Sequence, residues 1–107
     1  MNKVRSVFEK GTELGDFHLR KDLPVQIGLL PGGSLGAVTL YETRVAGWEF
    51  EGRSYDDEKA RKDLGRSLDE TYVALEAREK ENLRDEERQL LDALSGLLCS
   101  SEQGVTR

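Results

Sequence analysis

The chain has 107 residues but a single cysteine, a single histidine, one tryptophan and two prolines. It also has no apolar run of membrane-spanning length. Each scarcity excludes something. Cys99 alone can form no disulfide within the chain, and it fits a reducing cytoplasm. One cysteine and one histidine cannot build a zinc site unless carboxylates join them. His18 reads as a solvated residue on the polar side of a strand, and Cys99 as a small apolar residue at a helix end. With the two in segments expected to lie apart, a thiol–imidazole pair is not expected. In "MNKVRSVFEKGTE" no apolar segment follows Lys3 and Arg5, so no secretory leader is expected.

Basic residues are also in deficit, and only in one half. Residues 1–54 hold seven basic and seven acidic side chains; residues 55–107 hold nine and fourteen, which is the whole net charge of −5. A surface with this balance repels phosphate backbones, so direct nucleic-acid binding is not expected. It suits a protein partner.

Eight of the eleven glycines and both prolines precede Arg53. Between them lie short runs of period two: "DFHLR", "PVQIGLL", "AVTLYETRV" and "GWEFEG". Such runs predict antiparallel strands with one wet face. "KVRSVFE" fits a strand or a short helix equally. The glycine-rich "LLPGGSLGAVTL" lacks the Gly-Lys-Ser/Thr ending of a phosphate loop and runs into a strand pattern, not a helix. Pro31-Gly32-Gly33-Ser34 therefore predicts a hairpin turn. No cofactor fingerprint is present, and no cofactor or metal is expected.

After Ser54 the period changes. Ala60, Leu64, Leu68, Tyr72 and Leu75 recur at spacings of three and four, one face of a helix. Ser54 with Asp57 reads as its capping box. Asp57–Arg61, Glu58–Lys62 and Glu76–Lys80 are spaced as ion pairs along it. Gly65 inside the helix predicts a close approach of backbone to sheet. A second helix is expected over "DEERQLLDALSGLLCS", capped by Asn82 or Asp85, with one continuous long helix as the alternative.

Few groupings carry chemistry. The acids of "YDDEKARKD" lack the order and the glycine of a calcium loop and match the positive end of a helix dipole. Glu49 and Glu51 share a strand face and would be the carboxylates of a small hydrolase, though alternation alone explains them. Trp48, Phe50 and Tyr55 gather where strand meets helix, as core or as a partner anchor.

The widest apolar stripe is Leu83, Leu90, Leu91, Leu94, Leu97 and Leu98, more than a small sheet is expected to cover. The sequence therefore predicts an α+β fold over residues 1–99: about four antiparallel strands in 3–51, then one long or two shorter helices in 54–99 on one sheet face, and a flexible tail over 100–107. The expected function is a non-enzymatic, homodimeric protein-interaction module. Its expected partner surface is the leucine stripe with Trp48 and Tyr55. Two alternatives stand beside it: an acidic mimic of nucleic acid, and a cofactor-free enzyme using carboxylates.

Overall fold

Alternating β-branched and aromatic residues favour extended backbone until Ser54, and regular leucine spacing favours helix after it. The computed structural model describes residues 3–100. The elements are β1 (Lys3–Phe8), β2 (Glu13–Leu14), β3 (Phe17–Leu19), β4 (Leu23–Pro31), β5 (Ala37–Val45), β6 (Trp48–Ser54), α1 (Asp57–Glu76), α2 (Asp85–Leu97) and β7 (Leu98–Ser100). Strands β1, β4, β5 and β6 form one antiparallel sheet in that order. The two helices pack on it, giving the expected α+β architecture. "KVRSVFE" is a strand. A second, smaller sheet has the order β2-β3-β7.

Register decides which residues meet the helices. Val25 is buried beneath them, with Phe8, Tyr41, Val45 and Phe50 on the same side of the sheet. The opposite side carries Lys3, Arg5, Gln26, Glu42, Arg44, Glu49, Glu51 and Arg53. Two turns set this register. The loop after Pro31 is a hairpin turn, as expected, closed by the Gly36 amide on the Gly33 carbonyl at 3.2 Å. Strands β5 and β6 are joined by Ala46-Gly47 at φ +51° and +85°, the pair of positive values that a tight two-residue hairpin needs.

Helix α1 lies on β6 backbone to backbone. A methyl group at Gly52 would stand 2.1 Å from the Leu64 amide nitrogen and 2.5 Å from the Ala60 carbonyl oxygen. One at Gly65 would stand 2.4 Å from the Leu14 carbonyl oxygen, which is the close approach that Gly65 predicts. Ala60, Leu64, Leu68 and Leu75 are buried and Tyr72 partly so, as the spacing predicts. At the start of α1, Tyr41 donates to Asp57, and Arg61 donates to the Tyr41 hydroxyl at 3.3 Å. The Arg61 guanidinium stands 5.3 Å from the centre of the Phe8 ring. Burial, helped by the Asp57 carboxylate, holds the Tyr41 phenol above its ordinary pKa, while Arg61 pulls it down.

Several local expectations are corrected. The cap of α1 is Asp56, whose side chain accepts from the amides of Glu58 and Lys59 at 2.8 and 3.4 Å. Ser54 ends β6 and accepts from the Asp56 amide, two residues too early for the cap. The Asp57–Arg61 and Glu58–Lys62 pairs form, at 3.2 and 4.0 Å. Glu76 instead accepts from Tyr72 at 2.9 Å, because α1 ends there and Lys80 starts a 3-10 turn.

The described residues hold two helices rather than one long one, and α2 begins after Arg84 rather than after Asn82 or Asp85. Glu87 accepts from the Arg84 amide at 3.0 Å and from Arg78 at 2.6 Å, tying the connection to the helix. Leu98 and Cys99 are strand, not helix, because the ladder to β3 takes over where α2 ends. Ser100 belongs to that strand, and the rest of the expected tail, 101–107, lies outside the described residues. Among the described residues no helix is long and apolar enough to cross a membrane.

Gly52→Ala has to push the helix and strand backbones apart, so it lowers stability by about 2–3 kcal/mol in urea titration, the upper range for overpacking. A loss under ~0.5 kcal/mol, the size of an ordinary surface change, would show that α1 is not seated there. The backbone amide of Arg84, with the Arg78 guanidinium, holds the Glu87 carboxyl below its ordinary pKa. A depressed carboxylate contributes stability that is present above its unfolded value, about 4.3, and fades as pH falls through the lower folded value. Between pH 6 and 3 the wild-type urea midpoint therefore falls further than that of Glu87→Gln.

Candidate functional site

The leucine stripe lies inside the chain's own core. Leu83, Leu90, Leu94, Leu97 and Leu98 are each 8% exposed or less, and Leu91 is partly buried against them. Each such burial contributes about 1.5–3 kcal/mol to the fold. The expectation of a surplus fails because two sheets, not one, meet these residues. Helix α2 touches α1, β5 and β7, and the small sheet adds Leu14, Phe17 and Leu19 to the same core. Of the expected partner residues, only Trp48 and Tyr55 are exposed, at 37% and 53%. They are not joined into one patch. Trp48 lines a shallow groove of about 390 Å³ against Ser67, Glu70 and Thr71 of α1. Tyr55 donates a 3.5 Å hydrogen bond to the Gly32 carbonyl beside the hairpin loop.

A broad concavity lies on the helix-free side of the four-stranded sheet. It is a trough of about 900 Å³, lined among others by Arg5, Gln26, Glu42, Arg44, Glu49 and Glu51. Strand pairing lays Arg5, Gln26, Glu42 and Glu51 in one row across all four strands. Direct cross-strand neighbours interact most strongly, so such rows set the charge pattern of a face. Arg44 holds Glu49 at 2.6 Å and Arg53 holds Glu51 at 2.5 Å. Lys3 forms an ion pair with Glu42 Oε1, a buried atom that the contact leaves without an aligned hydrogen bond. Glu49 and Glu51 do share the wet face, as alternation predicts. Each is paired with an arginine.

The acids of α1 are interleaved with cations. Asp57, Glu58, Asp63 and Glu70 all pair with arginine or lysine. Asp56 and Asp57 act at the helix start rather than as a metal cluster, and no group of metal-holding side chains occurs among the described residues.

Sequence reasoning missed one juxtaposition. His18 stands opposite Cys99 in the small sheet, with Glu13 opposite His18 on its other side. The three share the face turned away from Leu14, Phe17 and Leu19. No local signal could show this, because the pairing joins strands from the two ends of the chain.

Leu94→Ala leaves a cavity in the core and costs about 2–5 kcal/mol, while Leu91→Ala costs less because its site is half open. Thermal or urea unfolding of the two variants checks the order; equal, small losses would mean that the stripe is not core.

Comparison of the chain with protein families, with curated proteins and with solved structures finds no match.

Proposed function

We propose that the protein is a non-enzymatic interaction module, a cytoplasmic regulator, inhibitor or chaperone-like adaptor that works as a homodimer. Its partner surface is the open face of the four-stranded sheet rather than the leucine stripe. One observation carries this reading: the trough occupies a broad sheet face that, among the described residues, the helices leave uncovered, and charges of both signs line it. Lys3, Arg5 and Arg44 stand there with Glu42, Glu49 and Glu51. Balanced charge suits a protein surface. A phosphate backbone would meet three carboxylates, and a polycation three basic side chains. Charges arranged in rows select a partner and its orientation more than they add raw affinity.

The test exchanges one pair. In Arg44→Glu combined with Glu49→Arg the ion pair within the chain is retained, but the pattern offered to a partner is inverted. Tagged wild-type protein captured from its native cells brings down a stoichiometric protein, identified by mass spectrometry. The exchanged variant, with unchanged melting temperature, recovers at least about tenfold less of it, the loss that mispaired interface charges produce. Asp69→Lys, on an exposed position of α1, serves as the control. Undiminished capture by the exchanged variant would remove the sheet face from consideration.

A further inference from the structure

The two edges of the main sheet are treated differently. At the β6 edge, α1 takes up the backbone: Asp63 accepts from the Arg53 amide at 3.0 Å, and the Ser67 hydroxyl donates to the Glu51 carbonyl at 3.1 Å. At the other edge lies β1, which among the described residues pairs only with β4. Its Val4 is 64% exposed and its Val7 49% exposed. Beside Val4, across β4, Ile27 is only partly buried, and Leu29 is 62% exposed. An open strand edge with apolar side chains on it is a template for another strand.

We infer that a second copy of this chain occupies that edge, β1 against β1 and antiparallel, about a two-fold axis through Ser6. The inference rests on the homodimer of the proposed function and says where its contact is. Charge and side-chain type choose the occupant and the register. A two-fold normal to the sheet keeps both helix layers on one side, so it pairs residues of equal facing. Centred on Ser6, it sets Lys3 against the second copy's Glu9, Val4 against its Phe8, and Arg5 against its Val7. Opposite charges then meet twice by symmetry, and Glu9 also lies diagonal to Arg5. Centring on Arg5 instead would oppose two arginines. Centring on Val7 would run into the turn where the Thr12 amide binds the Glu9 carbonyl at 2.9 Å, which shortens the ladder. The Ser6 register uses the whole strand and the residue after it. It also sets the two open sheet faces side by side, with Lys3 and Arg5 at the seam.

The contact is tested by mass, by cross-linking and by charge exchange. In sedimentation the wild type is a concentration-dependent dimer. Lys3→Glu opposes two acids and raises the dissociation constant roughly tenfold, while Lys3→Glu with Glu9→Lys restores it. Melting curves confirm that each variant is folded. In a Cys99→Ser background, Ser6→Cys gives a disulfide-linked dimer on mild oxidation, and Arg5→Cys gives much less. A wild-type monomer at every concentration overturns the inference. A dimer whose mass ignores Lys3→Glu, with no cross-link at position 6, also overturns it, yet leaves the homodimer standing. A monomer that captures a foreign extended segment at β1 overturns the choice of occupant. None of these outcomes depends on the Arg44–Glu49 exchange, so failure here and failure of the sheet-face reading are separable.

Discussion

The backbone of α1 rests directly on the backbone of β6, and the rest of the architecture follows from that seat. At Gly52 the helix comes so close that no side chain fits between them, and at Gly65 it meets the carbonyl of Leu14 in the same way. Contact this tight fixes the height of the helix above the sheet. Tyr41, Asp57 and Arg61 then fix its start, since a buried hydroxyl must be matched in hydrogen bonds. With height and start settled, the apolar side of α1 can only face β5, β6 and β2. Helix α2 fills what is left, and β7 continues from its end into the small sheet.

That geometry explains where the leucines go. A small domain has little apolar surface to spare, and a stripe as wide as Leu83 to Leu98 invites the idea of an external partner. The internal partner is supplied by the segments least visible in the sequence. Strand β2 has two residues and β7 has three. Each is too short to show a period, yet together with β3 they bring Leu14, Phe17, Leu19 and Leu98 onto the core. With both sheets present, the core takes up the stripe.

Legibility followed the same division. Strand β5 spans Ala37–Val45, the run that alternation marks, and the two helices fall where the leucine spacing puts them. These elements are long and regular, so many residues agree on one period. The Gly65 contact was legible because glycine is costly inside a helix and needs a reason. Gly52, in a strand ending among turn residues, gave no such contrast. The cap moved from Ser54 to Asp56 because both residues suit the role, and only the strand's end decides between them. The opposition of His18 and Cys99 depends on a ladder between the two ends of the chain, which no window of sequence contains. The open trough was half legible. Alternation put Glu49 and Glu51 on the wet face, but the row from Arg5 to Glu51 exists only through register.

The same seat that closes one edge leaves the other open. Because α1 lies over β6, its Asp63 and Ser67 reach that strand's outer backbone and occupy it. Among the described residues the helical layer reaches Phe8 at the end of β1 but does not extend equally far over its start, and the exposures of Val4 and Leu29, both on the helix side of the sheet, record the shortfall. A sheet of this width covered by two helices has to leave some strand unprotected, and proteins blunt such edges with charge. Here Lys3 and Arg5 do so, one tied to Glu42 and the other facing the same open side. Two cations repel a random strand but admit one that carries a carboxylate at the matching position. Protection against general aggregation and selection of a particular partner are thus the same two side chains, seen from opposite sides of the edge.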